Sequence, residues 1–378
     1  RNLSDEEIEA NIKAGKPYVL RLRSQGSPDK EITFVDAIKG EIKLPENIHD
    51  IVLLKKDGIP TYHFAHAIDD HLMRTTTVVR GGEWLASAPI HYELFHLLGF
   101  KMPAYAHTAH LMKFDEETGG KRKLSKRKDP ELSLDYYRKD GYHPYTMKVY
   151  LLTLLNSNFE EWHEKFPDKD INEFPFSVEK MNQSGALFDK DKLHNICKNE
   201  LSKLSEEELY DFLYDWAKEN EPENVEKWFG DREKMLQILR LYMGVGAKRR
   251  RKDLMYAKQI FELISYFFDG ESAEEMDEFK LDEDMVSKIL KSYLAKYDHN
   301  DDNSVWFNKL KEIADEHGFA SDMKAYKANP ENFKGNVSDI AEAVRIAVTG
   351  RANTPDLWTI VHIMGEEQMT ERIKKHIK

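Results

Sequence analysis

A cluster of basic side chains and one hydroxyl group occupies residues 121–128, which have the sequence KRKLSKRK. Lys123, Ser125 and Lys126 fall in a polar loop after a predicted strand. Ammonium and hydroxyl groups bind phosphate oxygens, and they stabilise charge that develops during phosphoryl chemistry. The spacing therefore indicates a site for a phosphate-bearing ligand. The alternative is a solvated loop, which is the usual role of a charged run in an arbitrary protein.

Arg80 is the second candidate, because it ends the predicted strand TTTVVR. In open α/β sheets, ligands bind outside the carboxyl ends of the strands. If the residues from Tyr62 are helical, His66, Asp69 and Asp70 share a face with Tyr62 and could border the same crevice. The alternatives also stay open, namely that Arg80 forms a structural salt bridge and that Tyr62 is a packing aromatic.

The same predicted helix has the composition of a metal cluster. Neighbouring residues on a helix point in different directions, so few of these side chains could converge on one ion. We therefore predict no metal site in this group, whose members are His63, His66, Asp69, Asp70 and His71.

The composition bounds the class of protein. With 378 residues, 40% of them hydrophobic, and no apolar run long enough to cross a bilayer, the chain is expected to be soluble and to form two to four domains. The single cysteine, Cys197, excludes an internal disulfide and any zinc site that needs two thiolates, so a reducing cytoplasm is expected. The net charge of -12 coexists with two basic runs, 121–128 and KRRRK at 248–252, which can attract a polyanion locally.

The elements that must position these residues change character along the chain. Up to about residue 50, a polar helix and the stretches YVLRLRS and ITFVDAIKGEIKLP predict an α+β unit. Helices at Tyr62–Met73 and Pro89–Leu98 then alternate with strands, the last of them predicted at 105–114, which indicates parallel crossovers and an α/β sheet.

Helices dominate from about residue 131. Ser205 and Glu208 predict a capping box that opens an amphipathic helix. Gly350 is predicted to end a later helix, and Thr354 with Pro355 to begin the last helical segment. Further helices are predicted near 222–243, 254–268, 284–297, 305–316 and 337–348.

The segment KLSKR at 123–127 resembles the KMSKS motif of class I aminoacyl-tRNA synthetases, in the form common in glutamyl-tRNA synthetases. Three longer stretches are similar to the same family: GIPTYHFAHAIDDHLMRTTTVVRGGEWLASAPIHYELFHLLGF, LDYYRKDGYHPYTMKVYLLTL and KGNVSDIAEAVRIAVTGRANTPDLWTIVHIMGEEQMTERI. The resemblance covers nearly the whole chain in order. It implies the end of an inserted acceptor-binding α+β domain at 1–50, the second half of a Rossmann-like catalytic domain at 51–130, a helical stem-contact domain at 131–204 and an all-α anticodon-binding domain at 205–378.

The resemblance also implies roles for individual residues. Arg80 would pair with the side-chain carboxylate of glutamate, and the triphosphate of ATP would meet the KLSKR loop. Gly82 and His66 depart from the residues that many relatives carry. The implied glutamate pocket is Tyr62, His66, Arg80 and Trp84; the implied ATP contacts are Glu83, the main chain at Met112, Lys123, Lys126 and Arg127; the implied catalytic residues are Lys123, Ser125 and Lys126; and the implied tRNA contacts are Arg249, Arg250 and Arg251.

The implied function is ATP-dependent ligation of L-glutamate to tRNA-Glu through a glutamyl-adenylate, by a cytoplasmic monomer. ATP would bring Mg²⁺, no zinc is expected in this segment, and neither a membrane nor DNA is an expected partner. The family's HIGH motif has no counterpart here, so the chain is expected to begin after the first half of the catalytic domain and to be inactive by itself. Two alternatives stay open: a tRNA-binding relative without catalysis, and an enzyme that also charges tRNA-Gln.

Overall fold

The computed structural model describes residues 2–115, 117–268 and 276–378. The chain forms two compact units, one of Arg1–Leu132 with Lys148–Lys190 and one of Ser133–Met147 with Asp191–Lys378. The strands lie in the first unit and helices make up the second, which confirms the predicted order of α/β followed by all-α. None of the helices in the described ranges is both long and apolar enough to cross a membrane.

The first half of the chain alternates short strands with helices. A 3-10 helix at Gly82–Ser87 follows β5. The elements are α1 Asp5–Lys13, β1 Leu20–Arg21, β2 Glu31–Asp36, β3 Gly40–Pro45, β4 Val52–Leu54, α2 Tyr62–Leu72, β5 Thr77–Gly81, α3 Ala88–Leu97, β6 Ala104–Thr108, β7 Leu111–Phe114, β8 Lys121–Lys123, α4 Leu134–Asp140, α5 Pro144–Leu155, α6 Phe159–Lys165 and β9 Ala186–Leu187.

A four-stranded sheet with the order β3-β2-β6-β5 supports the Arg80 region. β5 and β6 are parallel and α3 connects them, which confirms the predicted crossover. Their register places Arg80 opposite His107. β2 joins the same sheet through the pair Asp36 and Tyr105, so residues from both sides of the predicted boundary at residue 50 share one sheet. The three predicted domain boundaries themselves stay predictions.

The single strand predicted at 105–114 is wrong, because two strands occupy this stretch. β6 lies in the four-stranded sheet, and β7 lies in a separate sheet with the order β8-β7-β9. The two strands differ in burial: the middle of β6 is buried, whereas β7 is half-buried or exposed. The hairpin of β7 and β8 leads into the basic loop at 123–127, and it is this hairpin that sets where the loop begins.

The helices from residue 190 onward, apart from α14, contribute to one large apolar core. The predicted capping box is confirmed, since Ser205 and Glu208 exchange both hydrogen bonds, and Gly350 ends its helix at a φ of 74°. The helices are α7 Lys190–Leu201, α8 Glu206–Asn220, α9 Val225–Phe229, α10 Arg232–Met243, α11 Ala257–Ile264, α12 Glu283–Lys296, α13 Asn303–His317, α14 Met323–Ala328, α15 Val337–Thr349, α16 Leu357–Met364 and α17 Glu366–Lys374.

One predicted helical segment and one predicted helix start in this unit are wrong. The segment 222–243 is interrupted, because the Asp231 carboxylate caps a new helix by accepting from the N–H of Lys234. α16 begins after Asp356, which caps it, and not at Thr354 and Pro355. The hydroxyl of Thr354 and the carbonyls of both residues instead accept hydrogen bonds from Arg345.

Candidate functional site

Arg80 lies near the carboxyl end of β5, where its guanidinium meets two buried histidines. Its Nε donates to Nε2 of His107 at 2.9 Å, and its Nη1 donates to Nδ1 of His91 at 3.1 Å. Its Nη2 lies 3.5 Å from the main-chain oxygen of Trp84. The guanidinium also stands 4.8 Å from the ring centre of Tyr105. Arg80 is therefore held by neutral groups at the edge of the sheet where α/β folds bind ligands.

Aromatic side chains from α2 and the 3-10 helix gather at the same place. The ring of Tyr62 lies 4.5 Å from that of Trp84 and stacks on His66 at 5.9 Å. His66 in turn contacts the hydroxyl of Tyr105 at 2.7 Å, beside the Arg80 guanidinium. The structure thus brings together Tyr62, His66, Arg80 and Trp84, and their role in glutamate binding stays a proposal.

Burial favours the neutral form of four histidines near Arg80. The pKa of each is lowered, most of all by burial, and the positive charge of Arg80 acts in the same direction. For His91 the pKa falls to about 2. A neutral imidazole has one donor and one acceptor nitrogen, so each ring can accept a hydrogen bond as well as donate one. The four are His63, His66, His91 and His107.

The histidines of α2 point to different partners. His63 contacts His91 at 2.9 Å, His66 lies 2.8 Å from Asp70, and His71 stacks on Phe100. Within the described ranges, no group of three or more His, Cys, Asp or Glu side chains is arranged to hold a metal ion.

The loop after β8 alternates buried and projecting side chains. Leu124 is buried at 2% exposure, while Lys123 and Lys126 are exposed. Lys123, Ser125 and Lys126 line a cleft of about 510 Å³. The same cleft is bounded by Gly81, the residue after Arg80, and by Glu83. The predicted phosphate loop and the residues that directly follow Arg80 therefore open onto one cleft.

Asp129 holds this loop in place. Its carboxylate is buried and accepts two hydrogen bonds from Arg122, at 2.6 and 2.7 Å, and one from the N–H of Ser125 at 2.8 Å. Lys113 lies 3.2 Å away. These contacts, with the hydrogen bonds from Arg122 first, keep the pKa of Asp129 well below its usual range. The loop conformation therefore depends on an ionised carboxylate that the sequence pattern did not identify.

We expect Asp129→Asn to loosen this loop, because an amide cannot accept both Arg122 hydrogen bonds and the Ser125 hydrogen bond. The loss should be on the order of 2 kcal/mol, as for a hydrogen bond to a charged group. The measurement is hydrogen exchange of residues 121–129, with Asp115→Asn as the matched control, since Asp115 also contacts Arg122 but is partly exposed. Unchanged exchange in Asp129→Asn would contradict the anchoring role.

The remaining predicted ATP contacts differ in position. Glu83 lines the cleft and lies 3.5 Å from His110, which contacts Lys123 at 3.3 Å. Arg127 is exposed and is not among the described residues that line the cleft. The main-chain oxygen of Met112 already accepts from the N–H of Phe188 at 2.7 Å. His110 is therefore a cleft residue that the prediction missed. Its position in the sequence HTAHL, shortly before the basic loop, could have identified it.

The basic run at 248–252 is exposed in the helical unit. Arg249 and Arg251 line a cavity of about 660 Å³, and Arg251 also pairs with Asp253 at 2.6 Å. Arg250 is not among the described residues that line it. Gly244 permits this arrangement, since a Cβ there would lie 3.0 Å from the main-chain nitrogen of Arg251. Other residues of the cavity, missed by the prediction, include Gln237, Arg240, Trp358, Thr359 and His362.

Comparison with known proteins gives the class first. Residues 1–195 match the family described as tRNA synthetases class I (E and Q), catalytic domain, and residues 208–377 match the family described as anticodon binding domain. The α/β unit with its cleft and the helical unit with its basic run thus define a class I tRNA synthetase.

Individual relatives are more specific. The chain is 52% identical to a glutamate–tRNA ligase of Acetivibrio thermocellus, over 99% of this chain and 68% of the relative, and 46% identical to one of Clostridium perfringens, over 100% and 68%. A crystal structure of a glutamate tRNA ligase from Elizabethkingia meningosepticum, in complex with its amino acid, matches with a TM-score of 0.72 at 25% identity, over 99% of this chain and 71% of that one. The chain therefore belongs to the glutamate–tRNA ligase family, which confirms the resemblance predicted from KLSKR.

Proposed function

We propose that the protein ligates L-glutamate to tRNA-Glu in an ATP-dependent reaction with a glutamyl-adenylate intermediate. The observation that supports this most directly is Arg80, a cation held by neutral acceptors beside a cleft that carries Lys123 and Lys126. An acidic amino acid and a polyphosphate are the ligands that suit these two groups.

Arg80 would bind the side-chain carboxylate of glutamate. Three of its five N–H groups, one each on Nε, Nη1 and Nη2, point to His107, His91 and the main-chain oxygen of Trp84. One N–H on Nη1 and one on Nη2 are therefore left to take a carboxylate in two hydrogen bonds. The flanking rings of Tyr62, His66 and Trp84 would exclude water around this pair, which strengthens it. Neutral glutamine would leave the guanidinium without a counter-charge, so the site favours glutamate.

The cleft of the KLSKR loop would bind ATP. Lys123, Ser125 and Lys126 would stabilise negative charge on the triphosphate while the glutamate α-carboxylate attacks the α-phosphorus and pyrophosphate leaves. Glu83, the main chain near Met112 and Arg127 are proposed as further nucleotide contacts. Mg²⁺ would enter bound to the ATP phosphates as part of the substrate.

The helical unit would bind tRNA, and the glutamyl group would then pass to the terminal adenosine. Arginine guanidinium groups bind phosphates and stack on exposed bases, and aromatic rings stack on bases too. The cavity that Arg249 and Arg251 line also contains Trp358 and His362, so it offers both kinds of contact. We propose that the protein acts in the cytoplasm, whose reducing conditions suit its single free cysteine, Cys197, and as a monomer.

Charging assays test this function. The full-length protein should attach labelled glutamate to tRNA-Glu only when ATP is present, and it should not attach labelled glutamine. Assays with tRNA-Gln in place of tRNA-Glu decide whether the second tRNA is also a substrate. If tRNA binds but is never charged, the protein is a tRNA-binding relative without catalysis and the proposal fails.

Reversing the charge of Arg249 and Arg251 together should weaken tRNA binding. Each phosphate contact that is lost lowers the slope of log affinity against log salt by about 0.7 to 0.9. The measurement is tRNA affinity by filter binding at several salt concentrations, together with the KM for glutamate, which should not change. Lys327→Glu, at an exposed position on α14, is the control for a general effect of charge. Equal losses of tRNA affinity in the double variant and in Lys327→Glu would show that this cavity is not part of the tRNA interface.

A further inference from the structure

The two histidines that hold Arg80 must both present a lone pair to it. His91 and His107 are fully buried, each at 0% exposure. A guanidinium carries only N–H donors and does not lose its proton in proteins. The nitrogens that face Arg80, Nδ1 of His91 and Nε2 of His107, are therefore acceptors, and this fixes the tautomer of each ring.

Asp36 enforces the tautomer of His107. One carboxylate oxygen accepts from Nδ1 of His107 at 2.6 Å and from its main-chain N–H at 3.0 Å. The other oxygen accepts from the N–H groups of Ile38 and Lys39, both at 2.9 Å. Burial alone would raise the pKa of Asp36, but these hydrogen bonds, with that from His107 the largest, lower it below the usual value. Asp36 is therefore ionised and keeps the His107 proton on Nδ1.

The register of the sheet makes this arrangement rigid. Arg80 and His107 are direct neighbours on the parallel strands β5 and β6, and Asp36 ends β2 on the far side of β6. All three side chains thus extend from paired strands of one sheet, and a ligand-binding group on such a scaffold is placed more precisely than one on a loop.

We propose that His107, oriented by Asp36, is a positioning residue for glutamate binding, which holds Arg80 by its Nε so that the Nη1 and Nη2 edge meets the substrate carboxylate. This rests on the proposed function, because it takes glutamate to be the ligand of Arg80. His91 supports the same guanidinium from α3, through Nη1, and is itself in contact with His63 at 2.9 Å.

A matched pair of substitutions at position 107 separates positioning from bulk packing. In His107→Asn the amide nitrogen lies near the place of Nδ1 and can still donate to Asp36, but nothing replaces the acceptor for Arg80. In His107→Gln the amide oxygen lies near the place of Nε2 and can accept from Arg80. We expect His107→Asn to raise the KM for glutamate about 10-fold to 100-fold, the range for loss of a hydrogen bond to a charged group, while kcat and the KM for ATP change by less than about threefold.

The readouts are the KM values and kcat of tRNA charging by the full-length protein, with the melting temperature of each variant. His107→Gln should keep the KM for glutamate within about threefold of the unchanged protein. Equal effects of the two substitutions, or none in either, would overturn the proposal. If the unchanged protein charges no tRNA with glutamate, the proposed function fails first and this inference fails with it.

A second variant keeps the test decisive if His107→Asn does not fold. In Asp36→Asn an amide N–H₂ faces Nδ1 of His107, so Nδ1 must accept and the ring proton moves to Nε2. That proton then points at the N–H of Arg80, and the hydrogen bond between Arg80 and His107 is lost. We expect the KM for glutamate to rise at least about 10-fold in this variant too. A folded Asp36→Asn protein with an unchanged KM for glutamate would show that Asp36 and His107 do not position Arg80.

Discussion

Arg80→Ala is expected to raise the KM for glutamate about a hundredfold, because truncating one partner of a desolvated charge pair costs roughly 2 to 5 kcal/mol. The KM for ATP should change less than about threefold, since the cleft that would hold the phosphates is lined by Lys123, Ser125 and Lys126 and does not require the Arg80 side chain. The measurement is tRNA charging by the full-length protein, with glutamate and ATP varied separately.

Two controls sharpen this prediction. Arg80→Lys keeps the positive charge but loses the planar guanidinium that can form two parallel hydrogen bonds. Its KM for glutamate should therefore lie between that of Arg80→Ala and that of the unchanged protein. Arg23→Ala removes an exposed arginine from the same unit and should leave the KM for glutamate unchanged. A similar rise in both KM values for Arg80→Ala would mean that the substitution disturbs the whole unit, and it would count against the glutamate assignment.

Lys126→Ala should lower kcat about 100-fold to 1000-fold, the usual effect of removing one aligned donor that stabilises charge in the transition state. Lys123→Ala should lower kcat in the same range, because Lys123 lines the same cleft next to His110. The KM for glutamate should change little in either variant. The measurement is single-turnover formation of glutamyl-tRNA at saturating ATP and glutamate, which separates chemistry from product release.

Lys128→Ala is the matched control for both lysines. Lys128 is exposed and belongs to the same basic run, but it is not among the described residues that line the cleft. It should retain nearly the full rate. If all three variants lost the same fraction of activity, the basic run would act only as a diffuse charge, and its two cleft lysines would have no specific role.

Local sequence patterns identified the site residues whose signal lies within a single strand or loop. They missed the residues that reach the site from strands and helices distant in the sequence. Arg80 and the KLSKR loop were identified from strand ends and motif spacing. The pair of His107 and Asp36 was not, because these residues are 71 positions apart and meet only through the register of β2 and β6. Contact between Arg80 and His91 likewise depends on how α3 packs.

Whether a segment forms a helix or a strand was easier to predict than the residues at which that helix or strand begins and ends. Helical periodicity and the Ser205 cap identified α8 correctly, because both signals lie within the helix itself. The break between β6 and β7 has no glycine or proline to mark it; it arises because the two strands pair with different neighbours. The predicted start of α16 was wrong because Thr354 and Pro355 accept hydrogen bonds from Arg345 on α15 and do not begin the helix.

The buried leucine inside the KLSKR loop restricts how that loop can move during a catalytic cycle. Leu124 is fixed by its apolar side chain and by its N–H, which donates to the carbonyl of Leu111 at 3.0 Å. The segment therefore cannot swing open as a hinged flap without first breaking its own anchor. In the proposed reaction, Lys123 and Lys126 would follow the leaving pyrophosphate by changes of rotamer, which take picoseconds to nanoseconds for exposed side chains.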